Sequence, residues 1–237
     1  MTRENRTTVA VLPAAGAGLR MGLRRPKQYL SLGGAPILVH TLRALLRGGR
    51  LGGAVLAAPS DRIVATRRML DRHGLGKGVD VVAGGAARQE SVWQALQAVS
   101  AEARWVVVHD AVRPFIDPAL IERVLAAAQR GGAAICGLPV RETVKRVRED
   151  SVETTVEREG LWLVQTPQAF SRDLLWEAHE KARRDGFIGT DDAALVERLG
   201  VRVAMVIGLP QNMKITTPDD LRAARRWLRA PRPPARS

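Results

Sequence analysis

The sequence predicts an α/β fold built on a mostly parallel, wound sheet. Short apolar runs alternate with amphipathic helical patterns along almost the whole chain, the rhythm of βαβ units. The runs are continuously apolar rather than alternating with polar residues, which suits strands buried on both faces. At 237 residues the chain is long enough for one large domain or two small ones, with a sizeable core in either case.

The expected strands, in order, are Thr8–Leu12, Gly53–Ala58, Val79–Ala83, Trp105–His109, Ala133–Pro139 and Val201–Ile207. A loop of small residues, LPAAGAGLRMG, follows the first. Gly84 and Gly85 follow the third and lead into a helix bearing Val92, Leu96 and Val99 on one face. Asp117 with Pro118 reads as an N-cap and a first helical proline, and Leu120, Ile121, Val124 and Leu125 form the apolar stripe of a helix that stops at Gly131 and Gly132. Ser171 is expected to cap the helix RDLLWEAHEKARRD, which ends before Gly186. Residues 140–161 break the rhythm. Two β-branched, charged runs flank the polar turn Arg148–Ser151, with too few large apolar residues for a core. This is a hairpin projecting from the sheet, and a lone hairpin is marginal in water, so it is expected to pack on something such as a second subunit. Residues 1–7 and 230–237 are expected to be disordered, and no internal repeat stands out.

The formal charge is +13, from 37 basic and 24 acidic residues, which raises the question of nucleic acid. The basic residues are mostly arginines spread over helix faces and the tail RAPRPPARS. Aromatic residues make up only 4% and do not interleave with basic ones as base-stacking platforms do. The expectation is therefore no nucleic-acid partner and an arginine-rich surface suited to small phosphates. The four histidines are scattered and no zinc-ligand spacing occurs. The single cysteine, Cys136, lies in an apolar run and reads as a buried, inert thiol. No run has the length of a membrane span and the N-terminal stretch lacks a signal-like apolar region, so a cytoplasmic protein with no membrane partner is expected.

The loop after the first strand fits neither common phosphate fingerprint. A G-x-G-x-x-G motif starting at Gly16 and Gly18 needs a third glycine where Met21 stands, with Gly22 one residue late; a P-loop is not supplied by either glycine. What remains is a backbone with little side-chain bulk followed by Arg20, Arg24, Arg25 and Lys27. An ordinary strand-to-helix turn with solvated arginines would look similar, but the cations favour an anionic ligand, a nucleotide for choice. In open parallel sheets ligands sit beyond the carboxyl ends of the strands. Gly84, Gly85, Arg88, Ser91 and Asp110 all fall there. Asp110 could be a turn former; facing a cationic loop, it equally suits Mg²⁺ bridging phosphates. No Ser-His-Asp, Cys-His or paired-carboxylate arrangement is present, so a reaction that needs mainly positioning and charge neutralisation fits best. Phosphoryl and nucleotidyl transfer are of that kind.

With these pieces on one sheet edge, LPAAGAGLRMG…RPKQYLSLGGAPIL, VHDAVRPF, TPQAF, TDDAALVE and NMKITTPDDL resemble the 2-C-methyl-D-erythritol 4-phosphate cytidylyltransferase family of the non-mevalonate isoprenoid pathway, in order from Val9 to Leu228. The resemblance implies a single domain over residues 1–237 with a Rossmann-like nucleotidyltransferase fold and a hairpin dimerisation arm. It also implies a homodimer and Mg²⁺-dependent transfer of CMP from CTP to a polyol phosphate, with release of pyrophosphate. On that resemblance Arg20, Lys27 and Lys214 are catalytic, and Ala14, Ala15, Gly16, Gly84, Gly85, Arg88 and Ser91 line the nucleotide. Asp110 holds the metal. Arg113, Thr143, Arg158, Thr166, Thr190 and Asp191 border the polyol phosphate, with Thr143 and Arg158 supplied by the partner subunit. Thr190 and Asp191 also read as the acidic start of a helix. Ala86, Val112 and Gln211 depart from the family pattern, which bears on the placement of ribose or polyol and not on the reaction type. A ribitol 5-phosphate cytidylyltransferase is the nearest alternative. A non-catalytic nucleotide sensor or a basic RNA-binding protein is a further one, disfavoured by the joint presence of Lys27, Asp110 and Lys214.

Overall fold

The computed structural model of the chain describes residues 7–16 and 26–229. Arg20 and the expected terminal disorder at 1–6 and 230–237 lie outside the described residues. Thr7, placed in the same N-terminal segment, is tied to the sheet by a hydrogen bond from Arg104 N–H to its carbonyl, 2.7 Å.

In chain order the elements begin with β1 (Thr8–Pro13), β2 (Ser31–Leu32), β3 (Ala35–Pro36), α1 (Ile37–Leu46), β4 (Gly53–Ala58), α2 (Ile63–Arg72) and β5 (Val79–Ala83). There follow α3 (Arg88–Gln97), β6 (Trp105–Val108), α4 (Pro118–Gly131), β7 (Ala133–Pro139), β8 (Val144–Arg148) and β9 (Ser151–Val156). The last are β10 (Trp162–Ser171), α5 (Arg172–Arg184), α6 (Asp192–Glu197), β11 (Ala204–Ile207) and α7 (Pro218–Arg229).

Seven strands form the main sheet in the order β11-β7-β10-β6-β1-β4-β5. Neighbours run parallel except where β10 pairs antiparallel with both β6 and β7. The mostly parallel, wound sheet expected from the sequence is what is found. Strand β10 is the exception: the sequence reading assigned no strand there. Its centre, Gln165-Thr-Pro-Gln168, is polar and interrupts any apolar run, yet these side chains are buried. The polar ones are acceptable in the core because they are hydrogen-bonded, Gln165 to Leu209, Thr166 to His109 and Gln168 through Nε2 to Asp191, which removes much of the desolvation cost, although Gln168 Oε1 has no partner among the described residues.

Helices cover both faces. Ala10 and Leu12 of β1 join Leu38, Leu42, Leu70 and Val124 of α1, α2 and α4 in one core layer. Val11 points the other way, with Val92, Leu96, Leu175 and Val196 of α3, α5 and α6. This period-2 division of fully buried strands explains why the runs are apolar throughout. A small third cluster seats Leu221 and Ala224 of α7 on Leu32, Ile37, Val112 and Ile215.

Helix α4 ends as expected. The Asp117 side chain accepts from Ala119 N–H, Pro118 is the first helical residue, and Gly132 closes the helix in the left-handed region at φ 87°. Ser171 does occupy the N-cap of α5, but its side chain makes no capping bond. The hairpin turns at Glu149 and Asp150, both at positive φ (49° and 61°), a two-residue connection whose twist matches that of paired strands. Strands β8 and β9 form a sheet of their own whose side chains are nearly all exposed.

Candidate active site

A cavity of about 540 Å³ opens where β1 and β6 end and α3 begins, within the size range of small-ligand sites. One wall is Pro13, Ala14, Ala15 and Gly16. This backbone is held by Gln28, a buried residue whose amide Nε2–H donates to the carbonyls of Ala14 and Gly16. Ala14 N–H in turn donates to Ala57 O, 2.8 Å. Behind the loop, a methyl group on Gly84 would fall 2.5 Å from Ala15 Cβ and 3.0 Å from Ser91 Oγ, so only glycine permits this approach. The Ser91 hydroxyl is turned onto the carbonyls of Ala87 (3.0 Å) and Gly85 (3.3 Å). Gly85 N–H donates back to it at 3.2 Å, so Ser91 shapes the entrance to α3.

Among the described residues, Asp110 is the one carboxylate in the cavity wall. It is buried and ringed by three cations. Arg88 Nε lies 3.3 Å from Oδ1, while Arg113 Nε and Lys214 Nζ lie 3.2 and 3.0 Å from Oδ2. Burial pushes the carboxyl's pKa upward, but the charges of Arg88, Lys214 and Arg113 outweigh it and hold Asp110 ionised far below the usual carboxylate range. Arg88 has a second acid behind it. Its Nη1 donates to Asp192 Oδ2 at 2.7 Å, and the other Asp192 oxygen meets His179 Nε2 at 3.1 Å, both residues being fully buried. Burial pushes the Arg88 guanidinium down, and the facing Asp192 and Asp110 more than reverse it.

Beneath the floor, Asp110 N–H donates to Thr166 Oγ1 (3.0 Å), which lies 3.1 Å from His109 Nδ1. Desolvation holds the buried His109 ring neutral, its pKa brought down to about 4. Arg113 is also buried and reaches Asn212 O with Nη1, 2.7 Å.

The sequence-derived residues therefore fall into groups. Ala14, Ala15, Gly16, Lys27, Arg88, Ser91, Asp110 and Lys214 line one cavity, joined by the departing residues Ala86 and Val112. Gly84 and Gly85 back it. Arg113 and Thr166 lie under its floor, not in its wall. Asp191 N-caps α6, accepting from Ala194 N–H and from Gln168 Nε2, and Thr190 before it is exposed. Thr143 and Arg158 are exposed on the hairpin, where Arg158 Nη1 donates to Arg141 O. Sequence reasoning missed Gln28, His109, His179 and Asp192. Gln28, His109 and Asp192 stand inside quoted motifs, beside Lys27, Asp110 and Asp191; no local pattern marks His179. Cys136 is buried with its thiol raised to about 12 by desolvation.

For the expected Mg²⁺, Asp110 fits the share a protein supplies. Oδ1 accepts a single hydrogen bond here, so this ionised carboxylate retains a lone pair for a hard cation whose other ligands are phosphates and water.

The family model for 2-C-methyl-D-erythritol 4-phosphate cytidylyltransferase matches residues 8–230. The chain belongs to that family. The enzyme of that name from Bacillus cytotoxicus is 45% identical over 222 residues, 94% of this chain and 98% of its own. That from Syntrophus aciditrophicus is 45% identical over 223 residues, 93% and 95% of the two chains. The crystal structure of the Thermus thermophilus cytidylyltransferase superposes with a TM-score of 0.78 at 39% identity, covering 93% of this chain and 98% of that one. The nucleotidyltransferase fold of these cytidylyltransferases is thus the fold of this chain.

Proposed function

We infer that this chain is a cytidylyltransferase that transfers CMP from CTP to 2-C-methyl-D-erythritol 4-phosphate, giving 4-diphosphocytidyl-2-C-methyl-D-erythritol and pyrophosphate in isoprenoid precursor synthesis. The observation that carries this reading is the cavity whose wall brings a bulk-free loop and Lys27 together with Asp110, the latter ion-paired to Arg88 and Lys214, in a chain matched by the family over nearly its whole length.

The polyol phosphate attacks the α-phosphorus of CTP through an oxygen already ionised at neutral pH, so no general base is needed. A bond forms from that oxygen to phosphorus as the bond to the β-phosphate oxygen breaks, and pyrophosphate leaves with the electron pair. Backbone groups of Ala14–Gly16 accept the nucleotide at close range. Lys27 and Lys214, with Arg20, offset charge as it shifts over the phosphoryl oxygens, and this acts mainly on the transition state. Asp110 would hold Mg²⁺, which when bound neutralises and orients the triphosphate. Arg113, fixed under the floor, orients Asp110.

We place Thr143 and Arg158 over the site of a second subunit in a homodimer. This is supported by the exposed apolar side chains Val147 and Val152 on the hairpin, Leu163 and Val164 on adjoining β10, and Met205 and Ile207 on edge strand β11. Among the described residues no helix is long and apolar enough to cross a membrane.

The experiment is a pyrophosphate-release assay crossing four nucleotides with the phosphates of methylerythritol, ribitol, glycerol and erythritol. Turnover is expected with CTP and methylerythritol phosphate. Preference for ribitol phosphate would transfer the reading to that cytidylyltransferase, and no turnover with any pair would reject it.

A further inference from the structure

The Ala14–Gly16 wall of the cavity depends on one side chain. Ala14 N–H is tied to Ala57 O in β4 at 2.8 Å, but among the described residues neither Ala15 nor Gly16 takes part in a backbone–backbone hydrogen bond. The chain past Ala14 is met instead by Gln28, whose Nε2 donates to Ala14 O and, at 3.2 Å, to Gly16 O. A carbonyl only accepts, so the amide nitrogen and not its oxygen faces this pair, and both of its hydrogens are committed. Gln28 is 2% exposed and follows Lys27 in a short turn that has an anchor of its own. Tyr29 N–H donates to Pro26 O at 3.0 Å, and the buried Tyr29 hydroxyl lies 2.8 Å from Thr66 Oγ1 in α2. One side chain thus joins two parts of the cavity wall, the bulk-free backbone and the turn that bears Lys27.

We propose that Gln28 is a positioning residue for nucleotide binding, which holds the Ala14–Gly16 backbone at a fixed spacing from Lys27 and donates no hydrogen bond to the nucleotide itself. This rests on the function inferred above. Gln28 lines the cavity, but with both donors spent on the protein it has none for a triphosphate, whose ionised oxygens only accept. Because the turn keeps its own anchor at Tyr29, loss of the clasp frees the backbone and leaves Lys27 in place. The loss therefore falls on the binding of CTP, alike in the ground state and the transition state, and such a loss raises KM while leaving kcat.

The test compares wild type with Gln28→Met, which keeps the shape and removes both donors, and Gln28→Glu, which turns an acceptor onto the two carbonyls. In Gln28→Met the KM for CTP should rise about tenfold, while kcat and the KM for the polyol phosphate stay within about threefold. Gln28→Glu should weaken CTP at least as much. An equal rise in both KM values, or a fall in kcat with the KM for CTP unchanged, would overturn the proposal. So would a lowered Tm with wild-type CTP kinetics per folded molecule, which is the mark of a residue that only fills space. A crystal structure of the wild type with CTP gives a reading that needs no variant to fold. Gln28 Nε2 still within hydrogen-bond reach of both carbonyls supports the clasp, and Gln28 turned onto the nucleotide makes it a ligand and overturns it. Failure of the proposed function would show differently, as a wild type without turnover whose affinity for CTP, read by calorimetry, still drops in Gln28→Met.

Discussion

Asp110 shows how much of this site is decided by charges around one residue. Three cations share its two oxygens, and two of them, Arg88 and Arg113, are largely withdrawn from water. Asp110→Asn should abolish nearly all turnover, since an amide is a weak ligand for a hard cation. It should also lower Tm, because Arg113 loses its anion while staying buried, a change of about 3–5 kcal/mol for broken buried pairs. Assay and thermal unfolding of the purified variant check both; near-normal activity would refute the role. His109 makes a separate pH signature. Its pKa is about 4 in the folded chain against 6.5 for a free imidazole, so between these values the unfolded chain takes up a proton that the folded chain refuses. Stability should therefore be full above pH 6.5 and fall by about 3 kcal/mol as pH drops to 4. Denaturant unfolding at several pH values should show this slope, and His109→Gln should flatten it. Asp110 and Arg88 were legible because they stand just beyond strand ends in sequence, and Lys27 because it follows the small-residue loop, whereas Lys214 was named by the family resemblance alone. That Arg113 and Thr166 lie under the floor was not, because burial depends on residues up to 99 positions away, as in the Arg113–Asn212 bond.

At the scale of elements, the site depends on two segments pressed together, the chain from β1 to Gly16 and the passage from β5 to α3. Their contact is the gap at Gly84. Gly84→Ala would set a methyl 2.5 Å from Ala15 Cβ, and relief requires moving backbone on one side, at about 1–3 kcal/mol. We expect KM for CTP to rise clearly while KM for the polyol phosphate changes little; a variant with wild-type CTP kinetics would show that the two loops need not touch. The strands and helices flanking these loops were readable from apolar periodicity. Strand β10 was not, because Gln165, Thr166 and Gln168 disguise it, and only partners just beyond β6, in the 209–212 loop and at the N-cap of α6 make those polar groups tolerable in a sheet. The Ser171 cap failed for a related reason: sequence places the residue, but side-chain geometry decides the bond.

For the whole molecule, the open question is which site the hairpin serves. Lys214 is the better core lesion for the test, its side chain being 36% exposed and so less coupled to folding than Asp110. Lys214→Ala and Arg158→Ala proteins should each be nearly inactive. If the proposed homodimer forms and Arg158 serves its partner, random pairing of the two variants gives mixed dimers as half the total, each with one intact site, so about a quarter of wild-type activity should return. No recovery in dimers shown to be mixed would place Arg158 in its own subunit's site.

The sequence by itself determined the α/β class, most strand positions, the projecting hairpin and the set of small and charged residues at the strand ends. These depend on short-range rules, the two-sided burial of parallel strands, helix caps, and turn chemistry, each readable within a dozen residues. The tertiary structure alone decided the antiparallel strand at the heart of the sheet, the clasp of Gln28 on the Ala14–Gly16 loop, the buried acid behind Arg88, and the linkage of Asp110 through Thr166 to His109. Each of these buries polar groups whose partners are far away in sequence, and a buried polar group is stable only when the partner is in place; nothing local to either residue records the other.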